Sequence, residues 1–158
     1  MGHFGAGKTS LIRRFVEDAF ESDYKVTIGV HISKKVVVTA PEQDDVNLII
    51  WDIEGKEDLR DNRSSYLLGT HAFIYVQDLS RLHIQREHDM DDAREFFQAE
   101  YPTALTAFVG NKLDLFLEEH GGRTSALDVY DHVVSAKSGE GVNHMFQSLA
   151  ENLLNHGE

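Results

Sequence analysis

Gly2-His3-Phe4-Gly5-Ala6-Gly7-Lys8-Thr9 spells G-x-x-x-x-G-K-[ST], a spacing whose chemistry is the capture of a phosphate chain. Glycines let the backbone curl until successive N–H groups point at one anion. Lys8 adds a full positive charge, and the Thr9 hydroxyl suits a magnesium ion that bridges terminal phosphates. Ser10-Leu11-Ile12-Arg13-Arg14-Phe15-Val16 continues as a helix, so the positive end of its dipole lies under the same anion.

Four further groups follow in order. In Asp52-Ile53-Glu54-Gly55, a carboxylate at the end of a strand is able to hold a magnesium-bound water, and a glycine N–H is able to meet a terminal phosphate. The bland alternative is a turn with a capping aspartate. In Asn111-Lys112-Leu113-Asp114, the Asp114 carboxylate is able to accept from both N1 and the 2-amino group of guanine, a pair that adenine does not offer. The Lys112 stem then lies along the base and Asn111 braces the loop; an ordinary charged loop is the alternative. Ser135-Ala136-Lys137 offers a backbone N–H for the guanine O6, and by itself carries no weight. Thr27, in an irregular stretch, is placed to complete a magnesium shell only when a third phosphate is present; an exposed threonine ahead of a strand is the alternative.

Alternating elements must hold these groups. A helix is expected from about Thr9 to Glu17, with Leu11, Ile12, Phe15 and Val16 as its apolar set. The β-rich run from Ile28 to Thr39, a break over Ala40–Asp45 and the run Val46–Trp51 predict an antiparallel hairpin covered by helices on at least one side. Ala72–Val76 and Leu105–Val109 are buried strands, and Val129–Val134 is a weaker one. Asp91–Glu100, closed by Pro102, and Val142–Leu154 are helices. Glu118 to Gly122 breaks any long helix, which leaves a turn or so after Asp114. Strands alternating with helices give an α/β fold with a mainly parallel sheet and one antiparallel edge strand.

The chain's 158 residues suit a single domain. Fifteen basic against 27 acidic side chains leave a net charge of −12, which argues against nucleic acid or an anionic membrane as partner. With no cysteine in these 158 residues, no disulfide, thiolate metal site or prenylated tail is expected, and with no membrane-spanning run the expectation is a cytoplasmic, lipid-free monomer. The nine histidines show no ligand spacing and are expected as scattered surface groups.

Taken together, Gly2–Thr9, Thr27-Ile28-Gly29, Trp51–Gly55, Asn111–Asp114 and Ser135–Lys137 resemble the five guanine-nucleotide motifs of the Ras superfamily of small GTPases. Phe15-Val16-Glu17-Asp18-Ala19-Phe20, followed by Thr27-Ile28-Gly29-Val30, is similar to the Rab branch, while the lack of a lipidated tail resembles the Ras-like GTPases of bacteria. The resemblance implies a P-loop three-layer fold, a six-stranded sheet with five helices, that binds GTP or GDP with magnesium and hydrolyses GTP to move two switch loops. It implies a nucleotide-binding set of Gly5, Ala6, Gly7, Lys8, Thr9, Ser10, Phe20, Thr27, Gly55, Asn111, Lys112, Asp114, Ser135, Ala136 and Lys137. Lys8 contacts the β- and γ-phosphates, Gly55 the γ-phosphate, and Phe20 packs edge-on against the guanine. Thr9 and Thr27 ligate magnesium, and Asp52 holds it through water. Thr27–Val38 and Glu54–Tyr66 face effector and regulatory proteins.

The chain departs from the family in three ways. Lys56 stands at the position of the glutamine that orients the attacking water; an ammonium donates hydrogen bonds but accepts none, so Thr27, Gly55 and Lys56 form a catalytic set expected to work slowly unless another group replaces the glutamine. Phe4 crowds the approach of an arginine finger. In the family an apolar strand precedes the phosphate loop at the centre of the sheet; here only Met1 precedes Gly2, so a domain spanning 1–158 with its first strand absent or truncated is expected. Three functions are open: a slow GTP-hydrolysing switch, a GTP/GDP-binding scaffold without useful hydrolysis, and a shortened chain that does not fold.

Overall fold

The computed structural model describes residues 1–23, 29–39, 45–53, 67–82, 89–122 and 125–156. Among them the elements run α1 (Lys8–Glu17), β1 (Val30–Val37), β2 (Val46–Ile53), β3 (Ala72–Asp78), α2 (Asp89–Glu100), β4 (Leu105–Asn111), α3 (Leu113–His120), β5 (His132–Val133) and α4 (Val142–His156), with 3₁₀ turns at Leu79–Arg81 and Ser125–Leu127.

The period-two pattern of the buried strands decides the layers. On β3 and β4, Ile74, Val76, Ala107 and Val109 face α1 and α4, where Leu11, Phe15, Met145 and Phe146 complete the cluster. Phe73, Tyr75 and Phe108 face the other way and meet Ala93, Phe96 and Phe97 of α2. Helices therefore cover both faces of the parallel sheet, and a third cluster of Leu79, Leu113, Phe116 and Leu127 closes the end near α3. The Phe15 and Phe146 rings stack at 3.8 Å, tying α1 to α4.

The hairpin pairs as expected, antiparallel from Val30 opposite Ile53 to Val37 opposite Val46. β3 and β4 are parallel from Ala72 opposite Leu105 to Asp78 opposite Asn111, and β5 adds only Val109 opposite His132 and Gly110 opposite Val133. The strands nevertheless form two sheets, β1-β2 and β3-β4-β5, rather than one. No described strand bridges β2 and β3. In its place lies a cavity of about 620 Å³, lined by β2, β3, α1 and α4. A second difference concerns α3. It reaches eight residues, not a turn or so, because the break falls only at Gly121, whose φ of 58° lets its N–H cap the Leu117 carbonyl.

Candidate functional site

The site lies where β3 and β4 end and α1 begins. Gly7 is the N-cap of α1 with φ 88°, and a Cβ there would run into the Asn111 amide. Gly2 has φ 125°, and a Cβ there would strike the Val76 carbonyl. Both positions demand glycine, for conformation and for room. The Lys8 ammonium folds back across the loop and donates to the carbonyls of Gly2 and His3, each at 2.8 Å. Burial pulls its pKa down from 10.5 to about 8, and Asp52 opposes the shift.

Thr9 donates its hydroxyl to Asp52 Oδ2 at 2.6 Å. Asp52 is buried, and among the described residues its Oδ1 has no hydrogen-bond partner. An orphaned carboxylate oxygen beside a threonine hydroxyl and a phosphate-type loop is the donor set a hard divalent cation takes, so these residues fit magnesium.

Asn111 is the hub between the two halves of the site. Its Nδ2 donates to the Ala6 carbonyl at 3.0 Å, and its Oδ1 accepts from the Ala136 N–H at 3.1 Å. The brace anticipated for this residue thus joins the phosphate loop to the Ser135–Lys137 turn. Lys112 adopts φ 66° as the N-cap of α3, and its Nζ donates to Asp78 at 2.6 Å. Asp114 accepts from Ser135 Oγ at 2.7 Å, and Lys137 Nζ stands 3.8 Å from its other oxygen. A cavity of about 440 Å³ runs from Gly5, Gly7, Lys8, Thr9 and Ser10 past Phe20 to Asn111, Lys112, Asp114, Ala136 and Lys137. Phe4 lies on its wall and is half-exposed. Thr27, Gly55 and Lys56 lie outside the described residues, as does Glu54–Tyr66.

Two side chains that hold the site together carry no local signature in the sequence. Arg14, which reads as one more helical position, sends Nε to the Ala136 carbonyl at 2.9 Å and an Nη to the Lys137 carbonyl at 2.7 Å. It clamps the Ser135–Lys137 turn to α1 across more than a hundred residues, and only the folded chain reveals that pairing. Asp78, buried at the end of β3, holds Lys112 and accepts from Ser80. The acidic start of α2 also reaches the loop, where Asp89 meets His3 at 3.1 Å.

A glycine loop with a lysine and a threonine, an asparagine-lysine-aspartate turn lining the same cavity, and the buried Asp52 carboxylate bonded to that threonine define a phosphate-loop nucleotide-binding protein. The Ras family model matches residues 1–155. Ras-related protein Rab-30 from Homo sapiens is 32% identical over 160 residues, covering 98% of this chain and 77% of the relative. The same protein from Bos taurus matches to the same extent. The chain belongs to the Ras family, and with it to the guanine-nucleotide-binding molecular switches with GTPase activity.

Proposed function

We propose that this domain is a slow switch. It grips the β- and γ-phosphates with Lys8 and the N–H groups of Gly5 to Ser10, and reads guanine with Asp114, Lys112 and the Ser135–Lys137 turn. Phe20 packs on the base. The orphaned Asp52 oxygen supports a magnesium site made with Thr9 and Thr27; the ion supplies charge neutralisation along the phosphates. Gly55 meets the γ-phosphate. With the ammonium of Lys56 in place of a water-orienting amide, the attacking water lacks an acceptor to align it, and turnover is low. That substitution is the observation that carries the reading.

Thr27–Val38 and Glu54–Tyr66 change with the nucleotide and meet effector and regulatory proteins. The exposed side of the hairpin supports this, since Ile32, Val36, Ile49 and Trp51 all reach solvent there. Among the described residues no helix is long and apolar enough to cross a membrane. The cytoplasm, as a monomer, is the compartment we assign.

Single-turnover phosphate release tests the proposal. Hydrolysis slower than in family members with the glutamine, yet faster than in a Lys8→Ala variant, and increased by Lys56→Gln, is the expected pattern. A rate equal to that of Lys8→Ala favours the scaffold reading, in which nucleotide is held without useful hydrolysis.

A further inference from the structure

Arg13 and Arg14 are consecutive on α1 and leave the helix about 100° apart, so they reach different neighbours. Arg14 takes the Ser135–Lys137 turn through the carbonyls of Ala136 and Lys137. Arg13 takes the chain that follows the helix. Its Nη2 donates to Glu21 Oε1 at 2.8 Å, its Nη1 stands 2.8 Å from Glu21 Oε2, and its Nε donates to Glu17 Oε2 at 3.2 Å.

This pairing follows from how α1 ends. Asp18 is its C-cap with φ 52°, and the Asp18 N–H donates to the Arg14 carbonyl at 3.1 Å. Arg14 Nη1 reaches both the carbonyl and the carboxylate of Asp18, each at 3.1 Å. A left-handed residue at that point turns the chain off the helix axis, and three residues later Glu21 lies beside Arg13, a full turn inside the helix. Phe20, Glu21, Ser22 and Asp23 then form one wall of the cavity that Lys8 and Thr9 line from the first turn of α1. The fork therefore ties that wall to the element into which the phosphate loop opens.

A single exposed ion pair contributes little, because water screens it and two long side chains must be ordered. Here the guanidinium meets both oxygens of Glu21 in its planar fork and a second carboxylate at Nε, so three charged side chains order one another. Neither Arg13 nor Glu21 lies in any of the five motifs. We propose that Arg13 is a positioning residue for nucleotide release: its fork to Glu21 is a clasp that holds the Phe20–Asp23 wall against α1, and the bound guanine nucleotide escapes when the clasp parts. The proposal rests on this cavity being the nucleotide site.

Release of tritiated GDP tests it, with nucleotide preloaded in magnesium on residues 1–158 and chased by excess unlabelled GDP. Release should be about three- to tenfold faster in Arg13→Met and in Glu21→Gln, and no faster in the double variant than in either single one. Arg13→Lys, a point charge without the fork, should fall between wild type and Arg13→Met. Raising salt from about 50 mM to about 500 mM should speed release more in wild type than in the double variant, which has no clasp to screen. Glu21→Gln keeps the shape of its side chain, so its result stands even where an Arg13 variant unfolds. Unchanged release in Glu21→Gln, or an equal salt response in wild type and double variant, overturns the proposal. So does an additive double variant, which would put Arg13 directly on the nucleotide. A wild-type chain that binds no GDP removes the nucleotide reading and the clasp together, whereas tight binding with unaltered release removes the clasp alone.

Discussion

Lys8 is held between two environments, and its titration reports which one it occupies. In the free domain its pKa falls from 10.5 to about 8 chiefly through burial, so the folded state binds fewer protons than the unfolded chain between those values. Stability set by this group is therefore lowest below pH 8 and rises as pH climbs toward 10.5. Nucleotide binding follows the opposite course, because phosphate is attracted only to the ammonium. GDP affinity measured by calorimetry should be flat up to about pH 8 and then fall, approaching about tenfold per pH unit, with a proton taken up on binding. In a Lys8→Met variant this fall should vanish together with most of the affinity. At the other end of the cavity, Asp114 accepts from Ser135 and is the group proposed to read the guanine edge. Asp114→Ala should weaken GDP by about 10- to 100-fold, from lost charged hydrogen bonds worth about 1.5–3 kcal/mol, and narrow its advantage over ADP. Unchanged discrimination in a competition titration would remove Asp114 from base recognition.

Among the elements, α1 does more than present the phosphate loop. Arg14 reaches from it to the carbonyls of Ala136 and Lys137 and, with Asn111, fixes the Ser135–Lys137 turn relative to the loop. Arg14→Ala should leave the turn without this clamp, lowering guanine nucleotide affinity by about tenfold or more and stability by about 1–3 kcal/mol. Arg14→Lys should recover little, since one ammonium does not reproduce the guanidinium fork. Denaturant unfolding and GDP titration of both variants check the two effects. The contrast with the sequence is instructive here. The apolar spacing of Leu11 and Phe15, and of Val142, Met145, Phe146 and Leu149, was enough to predict α1 and α4, and two β-rich runs on either side of a break were enough to predict the antiparallel hairpin. Asn111 was legible as a brace because its motif is local. Arg14 and Asp78 were not, since their partners are brought in by the sheet and not by neighbouring residues. The length of α3 was misjudged for a different reason: Glu118 and Glu119 remain helical at its exposed end, and only the glycine at 121 stops it.

Viewed across the whole molecule, the site is assembled from segments that share no single core cluster. Ala6 and Ala136 pack with α1 and α4, whereas Leu113, next to Asp114, belongs to the cluster under α3. Asp52 arrives from the separate β1-β2 sheet. The described contacts joining that sheet to the phosphate loop include one short hydrogen bond, Thr9 to Asp52. A ligand that touches Lys8, Thr9 and Asp114 together therefore does mechanical work that the fold leaves undone. Binding to the folded state alone raises stability by about 2.7 kcal/mol at a hundredfold excess over Kd. GDP with magnesium should raise the thermal midpoint by several degrees, whereas ADP with magnesium should raise it little. The magnesium-dependent part of the rise should disappear in Asp52→Asn, whose neutral amide no longer offers the orphaned carboxylate oxygen to a cation. If Asp52→Asn retains the full magnesium increment in a thermal scan with GDP, the ion is held elsewhere, and the hairpin is not coupled to the nucleotide through this carboxylate.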